Sequence, residues 1–236
     1  NTTTNEHGRE LIEHGTVLFP VACYDDDLIK KSVPWHWHDE LEAVIVSEGT
    51  ALIAAGTKKY TVKQGEGIFI NAGILHAAWS MKCSVCHLHS ITFHPRLIGG
   101  SIDSIFWHNY IQPLLTNPIV KHIHLDSSEA WHKKATHAIE SAWNSCANEP
   151  FGYEFQVRSS LSELILHLSA YHPVISRQPS EKVLRNSNRL KLMLQFIQDH
   201  YPDQINVSMI ADTAMISESE CLRCFRNIIG IPPIQY

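Results

Sequence analysis

The sequence predicts an α+β fold in which an antiparallel β-barrel or sandwich comes first and helices follow. In residues 11–93, short apolar-alternating runs are separated by turn residues, a pattern typical of strands. After residue 95, apolar residues recur at helical spacing instead. A polar stretch rich in proline and serine then separates these helices from a last, short group of helices.

The strands of the first part are predicted from alternation and from glycine punctuation. The apolar-alternating runs cover residues 16–21, 42–46, 50–54, 59–62, 67–70 and 85–93. Turn glycines stand between them at Gly49, Gly56, Gly65 and Gly73. This spacing is expected of an antiparallel barrel or sandwich.

Two long helices are predicted next, over residues 127–148 and 153–172. Ser127 is the expected N-cap of the first, and Pro150 and Pro173 are the expected stops. The second helix carries one apolar stripe, which we expect to pack on the barrel or on a second copy of the chain. The stripe consists of Leu161, Leu164, Ile165 and Leu168.

The predicted domain organisation follows from these changes of pattern. Residues 1–126 form the barrel, and residues 127–172 form a helical packing element. Residues 173–188 have linker composition. Residues 189–236 form an all-α domain with helices over 189–200, 207–213 and 217–228.

Composition limits the classes of function. The net charge of −5 and the isoelectric point near 6.3 give no overall basic signal, so any contact with DNA must come from a local patch. Six scattered cysteines and no secretory signal predict reduced thiols and a cytoplasmic protein. No apolar run approaches the roughly 18 residues of a membrane span.

Two motifs in the barrel bring metal-ligand residue types together. The first, H-x-H-x3-E-x6-G, places His36, His38 and Glu42 ahead of Gly49, and strand alternation would send all three side chains to one face. The second, G-x5-N-x-G-x2-H, adds His76. Imidazoles with a carboxylate suit Zn, Ni, Fe or Mn. The alternative is a metal-free pocket in which the same side chains hydrogen-bond a ligand.

Together the motifs resemble the two signature motifs of the cupin superfamily, with Asn71 where proline is usual and Ser80 where asparagine is usual. The resemblance implies a double-stranded β-helix barrel with a ligand site inside it. The predicted ligand-binding residues are His36, His38, Glu42, His76 and Trp79. Trp35 and Trp37 alternate with the histidines, so we expect them to bury against the helical layer.

The last group of helices has the pattern of a helix-turn-helix. Ala211 lies mid-helix, and a tight connection leads to a cap at Ser217. The buried stripe of the second helix is expected to contain Cys221, Cys224, Phe225 and Ile228. Three motifs follow one another in residues 205–236, namely I-x-V-x2-I-A, S-x5-R-x-F and G-x2-P-x2-Y. Together they resemble the first helix-turn-helix of the AraC/XylS family of transcriptional regulators.

That resemblance implies sequence-specific binding to double-stranded DNA. The predicted DNA-binding residues are Ser217, Ser219, Leu222, Arg223 and Arg226. Arg223 suits a bidentate contact to guanine, and Arg226 suits a phosphate. Members of the family also have a second helix-turn-helix, and the helix that joins the two would begin at Tyr236. The resemblance therefore implies that the DNA-binding domain is incomplete in this sequence. Across residues 190–236 five acidic residues oppose three basic ones, which predicts weak binding to DNA by this chain alone.

The resemblance further implies a cytoplasmic, homodimeric regulator without catalytic activity. Its small-molecule effector would be a carbohydrate or a related metabolite, and residues 153–172 would form the dimer interface. Two alternatives remain at this point. One is a metal-dependent cupin enzyme, a dioxygenase or an isomerase, that uses His36, His38, Glu42 and His76. The other is a binding module that acts through another protein.

Overall fold

A computed structural model of the chain describes residues 4, 9–81, 84–172, 181–200, 204–228 and 232–233. The chain divides into two compact units, Asn1–Val174 and Ile175–Tyr236. The first unit contains both the barrel and the two long helices, which therefore do not form a separate element. None of the described helices is long and apolar enough to cross a lipid bilayer.

The first unit is built on two antiparallel sheets, as predicted. Its strands are β1 (Val21–Asp27), β2 (Val33–His36), β3 (Leu41–Glu48), β4 (Thr50–Ala55), β5 (Lys58–Lys63), β6 (Gly67–Ile70), β7 (His76–Ser80), β8 (His87–Phe93) and β9 (His122–Leu125). One sheet has the order β1-β8-β3-β6-β9 and the other the order β2-β7-β4-β5. The two sheets enclose an apolar interior, an arrangement consistent with a cupin-like barrel.

One predicted strand is wrong, and four strands were not predicted. Residues 16–20 form a turn instead of a strand, because Gly15 has a φ of 82° and the Thr16 amide donates to the Phe19 carbonyl. The strand begins only at Val21. Strands β1, β2, β7 and β9 are missing from the prediction, and three of them have only four or five residues, too few to show a clear alternation.

The motif glycine Gly49 joins β3 to β4 and cannot carry a side chain. Its φ is 77°, a left-handed conformation that glycine adopts without penalty. A Cβ atom there would collide with the Val85 carbonyl oxygen. The tight turn takes the chain from the five-stranded sheet into the four-stranded sheet.

The outer face of the five-stranded sheet is covered by helices. Helix α1 (Arg96–Gly99), a π-helical segment (Trp107–Ile111) and α2 (Gln112–Thr116) precede α3 (Ala130–Asn148) and α4 (Tyr153–Tyr171). Helix α3 lies on the sheet, and α4 packs on α3. The predicted stripe of α4 is entirely buried in this core, so it is not available to a second copy of the chain. Its residues Leu161, Leu164, Ile165 and Leu168 are at most 1% exposed.

Helix α3 begins three residues later than predicted. Ser127 is not its N-cap, because a turn precedes the helix in which the Ser128 amide donates to Asp126 Oδ1. Glu129 takes the N-cap position without a capping hydrogen bond. The predicted end of α3 and the predicted start of α4 are both confirmed, and Pro150 lies between them as expected.

The second unit contains α5 (Glu181–His200), α6 (Val207–Thr213) and α7 (Glu218–Ile228). Helix α5 begins eight residues before the predicted residue 189, so the second half of the expected linker is helical. The start at Glu181 has a local cause, since Glu, Lys, Leu and Arg within residues 181–185 have good helix propensity. The first part of the expected linker, residues 173–180, lies outside the described residues.

Candidate functional site

The four predicted ligand residues meet inside the barrel. His36, His38, Glu42 and His76 are buried, and each offers a ligand atom within 4.8 Å of the others. The motif spacing predicted one strand for His36, His38 and Glu42, but the structure divides these three between two strands and the loop that joins them. His36 ends β2, His76 opens β7 directly opposite it, and Glu42 lies on β3 in the other sheet. The site therefore joins the two sheets at one end of the barrel.

Backbone carbonyl groups fix the orientation of all three imidazole rings. His36 Nδ1 lies 2.8 Å from the Pro34 oxygen, His38 Nδ1 3.2 Å from the Glu40 oxygen, and His76 Nδ1 2.7 Å from the Ile74 oxygen. A carbonyl oxygen can only accept, so each Nδ1 carries the proton. The Nε2 atoms are then left to face the interior of the site.

Glu42 is the counter-charge to these rings. Its Oε2 lies 3.2 Å from His38 Nε2 and 2.8 Å from His76 Nε2. The His76 Nε2 atom nevertheless has no partner in hydrogen-bonding geometry. An unprotonated Nε2 would present its lone pair to a carboxylate, which is repulsive. The arrangement therefore needs a cation between these groups, either a proton or a metal ion.

The pKa shifts describe the protonated form of the same site. Burial alone would raise the pKa of Glu42, but the charge of His76 and the hydrogen bond and charge of His38 hold it well below its usual range. Burial opposes protonation of His76, yet Glu42 raises the net pKa of that ring. Burial and the neighbouring His76 lower the pKa of His36. Of these two rings, His76 is therefore the one that holds a proton more readily.

The donor set also fits a divalent metal ion. Three imidazole nitrogens and one carboxylate oxygen suit Zn, Ni, Fe or Mn. Each ring already donates its other nitrogen to a fixed carbonyl, which is the second-shell arrangement usual for metal-bound histidine. The unpartnered, buried Nε2 of His76 is the atom that a metal would satisfy.

A segment before the barrel, residues 9–14, completes the site and was not predicted from the sequence. Glu10 Oε2 lies 3.2 Å from His14 Nε2 and 3.7 Å from His36 Nε2. His14 Nδ1 is hydrogen-bonded to the Tyr24 hydroxyl at 2.8 Å. The Glu10 amide donates to the Trp37 carbonyl, which attaches the segment to the barrel. Glu10, His14 and His38 form a second cluster with metal-ligand atoms.

These groups surround a cavity of about 130 Å³ between the sheets. Its polar lining combines carboxylates, imidazoles and hydroxyls, without a lysine or arginine among its described lining residues. The polar side chains are Glu10, His14, Tyr24, Asp26, His36, His38, Glu42, His76, Ser90 and Thr92. Tyr24 and Asp26 alternate on β1, and Ser90 and Thr92 alternate on β8, so the strand period was the signal that could have identified them.

The predicted pocket role of Trp79 is wrong. It does not line the cavity, and its ring packs edge-on against Trp35 with centroids 5.8 Å apart. Trp35 is itself 42% exposed instead of buried against the helices. Trp79 follows His76 by three positions, and residues three apart on a strand point to opposite faces.

The predicted DNA-binding side chains lie on or before α7. The Asn206 side chain accepts a hydrogen bond from the Met209 amide at the start of α6, and Ser217 Oγ accepts one from the Glu220 amide at the start of α7. Cys221, Cys224 and Phe225 are buried as predicted. The side chain of Ile228 lies outside the described part. Ser217, Ser219, Arg223 and Arg226 are exposed, and Leu222 is half-buried.

Arg223 is engaged within α7. Its Nη2 lies 2.6 Å from Glu220 Oε1, and Arg189 Nη1 lies 3.9 Å from the same oxygen. The guanidinium would have to leave Glu220 in order to contact a base.

Several known proteins are similar to this chain over most of its length. The chain is 29% identical to the uncharacterized HTH-type transcriptional regulator YdeC of Bacillus subtilis, over all of this chain and 80% of that protein. It is 22% identical to the HTH-type transcriptional activator RhaS of Shigella sonnei, over 94% of this chain and 77% of that protein. A crystal structure of a ToxT variant from Vibrio cholerae covers 95% of this chain and 98% of that chain, with 12% identity and a TM-score of 0.44.

YdeC and RhaS are named as transcriptional regulators. The family model of the AraC-like ligand binding domain matches residues 18–143. The match contains all nine strands, most of α3, and the four converging side chains from His36 to His76. Because it covers more than half of the 236 residues, the chain belongs to the family of the AraC-like ligand binding domain.

Proposed function

We propose that the protein is a cytoplasmic, ligand-responsive transcriptional regulator that binds a small effector in the barrel and operator DNA through α6 and α7. The observation that carries the proposal is the cavity between the sheets with four convergent ligand groups, in a chain whose family is defined by its ligand-binding domain. The effector acts by binding one arrangement of the protein more tightly than another, and its differential affinity sets the size of the response.

The cavity restricts the class of effector. Its volume of about 130 Å³ is smaller than the roughly 300 Å³ at which sites for drug-sized ligands begin. The lining residues that the structure describes include three carboxylates and no lysine or arginine, which disfavours an anion. A compact, polyhydroxylated or cationic molecule suits the hydroxyl and carboxylate acceptors. A carbohydrate, as the family resemblance implies, would have to be small.

A divalent metal ion is the second candidate ligand. The specific observation is that all three rings donate Nδ1 to backbone carbonyls while their Nε2 atoms face the site with Glu42. His36, His38, Glu42 and His76 would hold the ion. A bound ion would neutralise the carboxylate and offer an acceptor site for an oxygen of the effector. We do not propose catalysis, since the relatives are regulators.

Titration calorimetry on untagged, EDTA-treated protein tests the barrel site. Zn²⁺, Ni²⁺, Mn²⁺ and a panel of small sugars and polyols are the probes. We expect at least one to bind, and Glu42→Gln to weaken that binding by a factor of at least about 10. Glu48→Gln, on the exposed end of the same strand, is the matched control. Binding that is unchanged in Glu42→Gln would show that the ligand does not bind at the barrel site.

DNA recognition is proposed for α7. Arg223 would contact a guanine edge and Arg226 a phosphate. Glu220 holds Arg223 and adds a negative charge to the same face. The acidic balance of residues 190–236 predicts that this chain alone binds DNA weakly.

Selection from a random duplex library at low salt, followed by anisotropy measurements, tests this assignment. We expect Glu220→Gln to raise affinity several-fold, because it frees Arg223 and removes repulsion from phosphate. Arg223→Ala should lower affinity by roughly 1–3 kcal/mol and relax specificity at one base pair. Lys134→Ala removes an equal charge from the exposed side of α3 and serves as control. An Arg223→Ala variant that selects the same sequences with equal affinity would contradict a role for α7 in sequence-specific DNA recognition.

Homodimerisation is proposed through the exposed side of α4. Phe155 is 80% and Leu166 53% exposed, and Phe106 beside them is 55% exposed. With Tyr110 they line a groove of about 470 Å³. A charge at Leu166 should convert a dimer to monomers in sedimentation velocity. A dimer that survives both Phe155→Asp and Leu166→Asp would place the interface elsewhere.

A further inference from the structure

A second group of metal-ligand side chains adjoins the four that meet in the barrel. Glu10 and His14 lie on the segment before β1, and His38 lies on the connection between β2 and β3. Each of the three offers a ligand atom within 4.8 Å of the others. His38 also belongs to the group of four described above. The two groups therefore share one imidazole and face the same cavity.

The side chains of the second group are buried and held in place by their surroundings. Those of Glu10 and His14 are only 6% and 4% exposed. His14 Nδ1 lies 2.8 Å from the Tyr24 hydroxyl oxygen, a hydrogen bond of the kind that orients a metal-bound histidine. The Glu10 amide donates to the Trp37 carbonyl oxygen at 2.8 Å, which fixes the backbone beside the barrel. Glu10 Oε2 and His14 Nε2 are thus presented together, 3.2 Å apart.

The buried carboxylate of Glu10 faces imidazole rings, not lysine or arginine, in the described part of the chain. Its Oε2 lies 3.2 Å from His14 Nε2 and 3.7 Å from His36 Nε2. The neighbouring guanidinium of Arg9 is paired with Asp39 at 2.6 Å. Burial of a carboxylate is costly unless a cation compensates its charge. A neutral imidazole supplies a lone pair but no charge, whereas a divalent ion between the carboxylate and the ring would satisfy both.

The shared imidazole determines how the ligand atoms can be divided. His38 Nδ1 lies 3.2 Å from the Glu40 carbonyl oxygen, so Nε2 is the one ligand atom that this ring offers. If it binds an ion with Glu10 and His14, the first group keeps His36, Glu42 and His76. The six side chains then form two sets, each with two imidazoles and one carboxylate. Such a set suits Zn, Ni, Fe or Mn, and it leaves a coordination position open for water or a ligand oxygen.

We propose that the barrel holds two divalent metal ions, the second of them bound by Glu10, His14 and His38. The inference rests on the metal candidate of the proposed function, which supplies the first ion. Glu10 joins the two sets, because its carboxylate lies beside both His14 and His36. The second ion attaches the segment before β1 to the barrel through side chains, in addition to the backbone hydrogen bond at Trp37.

Metal content after equilibrium dialysis against Zn²⁺ tests the second site on untagged, EDTA-treated protein. We expect His14→Gln and Glu10→Gln each to bind one Zn²⁺ fewer per chain than wild type. Glu13→Gln, which removes an exposed carboxylate from the same segment, is the matched control and should bind as wild type. The comparison between variants is needed because the chain has sixteen histidines, and exposed ones can bind zinc weakly. Circular dichroism with a thermal melt verifies the fold of each variant.

Anomalous scattering from zinc-soaked crystals locates the ions. We expect two peaks in the barrel of wild type, one beside His76 and one beside His14. His76→Gln should lose the first peak and keep the second. In Tyr24→Phe the second ion should bind at least about 10-fold more weakly, because the His14 ring loses the hydroxyl that orients it.

Two outcomes would overturn the second site, and they differ in what they mean for the proposed function. A single peak beside His76, with equal zinc content in His14→Gln and Glu13→Gln, would overturn the second site and leave the first ion in place. The absence of both peaks would remove both ions. Titration with sugars and polyols would then decide the proposed effector role without any metal.

Discussion

The two faces of the five-stranded sheet carry opposite chemistry on the same strands. On β3, Leu41, Ala43 and Ile45 face outward and join the core under α3 and α4. Between them Glu42 faces inward to the histidines, with Val44 beyond it. The outer face is apolar and covered by helices. The inner face combines apolar residues with a cluster of ionisable groups at one end of the barrel.

This difference shows how a barrel can hold an ionisable site without losing its core. The outer face supplies stability through burial of apolar area, which is insensitive to charge. The inner face can then accept Glu42 at 9% exposure, because His38 and His76 compensate its charge. Since strand alternation has period two, a shift of β3 by one residue would exchange the two faces.

The largest expected loss of stability comes from a substitution on the outer face. Leu164→Ala on α4 removes a side chain that is completely buried, and we expect the free energy of unfolding to fall by about 3–5 kcal/mol through lost contacts and the cavity left behind. Leu166→Ala on the same helix, where the side chain is 53% exposed, is the matched control and should cost under about 1 kcal/mol. Urea denaturation measures both at a concentration where the protein is monomeric. Equal costs would mean that α4 is not packed as described.

A smaller loss of stability is expected from a substitution of Asn71, where the barrel meets the α2–β9 connection. Asn71 Nδ2 donates to the Leu114 carbonyl at 2.9 Å and to the Val120 carbonyl at 2.7 Å, and its Oδ1 accepts from the Ala72 amide. Asn71→Ala leaves buried carbonyl groups without donors and should cost about 2–3 kcal/mol. Asn148→Ala removes an exposed amide that also bonds a carbonyl, and it should cost much less. A similar loss in both variants would argue against a structural role for Asn71.

The same residue shows what could be predicted from sequence. The motif spacing identified Asn71 as a departure from the usual proline, but its partners at Leu114 and Val120 lie more than 40 residues away, in a stretch without a clear period. The two motifs predicted four polar groups of the cavity wall, His36, His38, Glu42 and His76. Apolar spacing predicted α3, α4 and α6 closely. Glu10 and His14 could not be predicted, because residues 9–14 have no periodicity and acquire their role only by lying against the barrel.

On the inner face, Glu42→Gln should change stability by only about 1 kcal/mol at neutral pH, because His76 can release its proton once its counter-charge is gone. The pH profile should change more clearly. In wild type, the lowered pKa of Glu42 contributes stability that is lost as pH falls below about 4.5, and the raised pKa of His76 contributes stability that is lost as pH rises through its folded value. Glu42→Gln should flatten both limbs in metal-free buffer. A wild-type profile that is already flat would contradict the ion pair.

The last expected effect concerns His94, which follows β8 and contacts no carboxylate among the described residues. Burial, with a smaller effect of Arg96, lowers the pKa of His94 to about 4. Its Nδ1 accepts the Arg96 amide proton at 3.1 Å, so protonation would break this bond. Between pH 6.5 and 4 the unfolded chain binds a proton that the folded chain does not, and stability should therefore decrease as pH falls through this range.

His94→Asn tests this, because the amide oxygen can still accept from the backbone but does not titrate. Thermal unfolding between pH 7 and 4 should show a shallower decline than in wild type, whereas His108→Asn, which removes an exposed imidazole, should follow the wild-type curve. A decline equally steep in His94→Asn would mean that the acid sensitivity comes from the barrel cluster. The two faces of the sheet would then not differ in the way their histidines respond to pH.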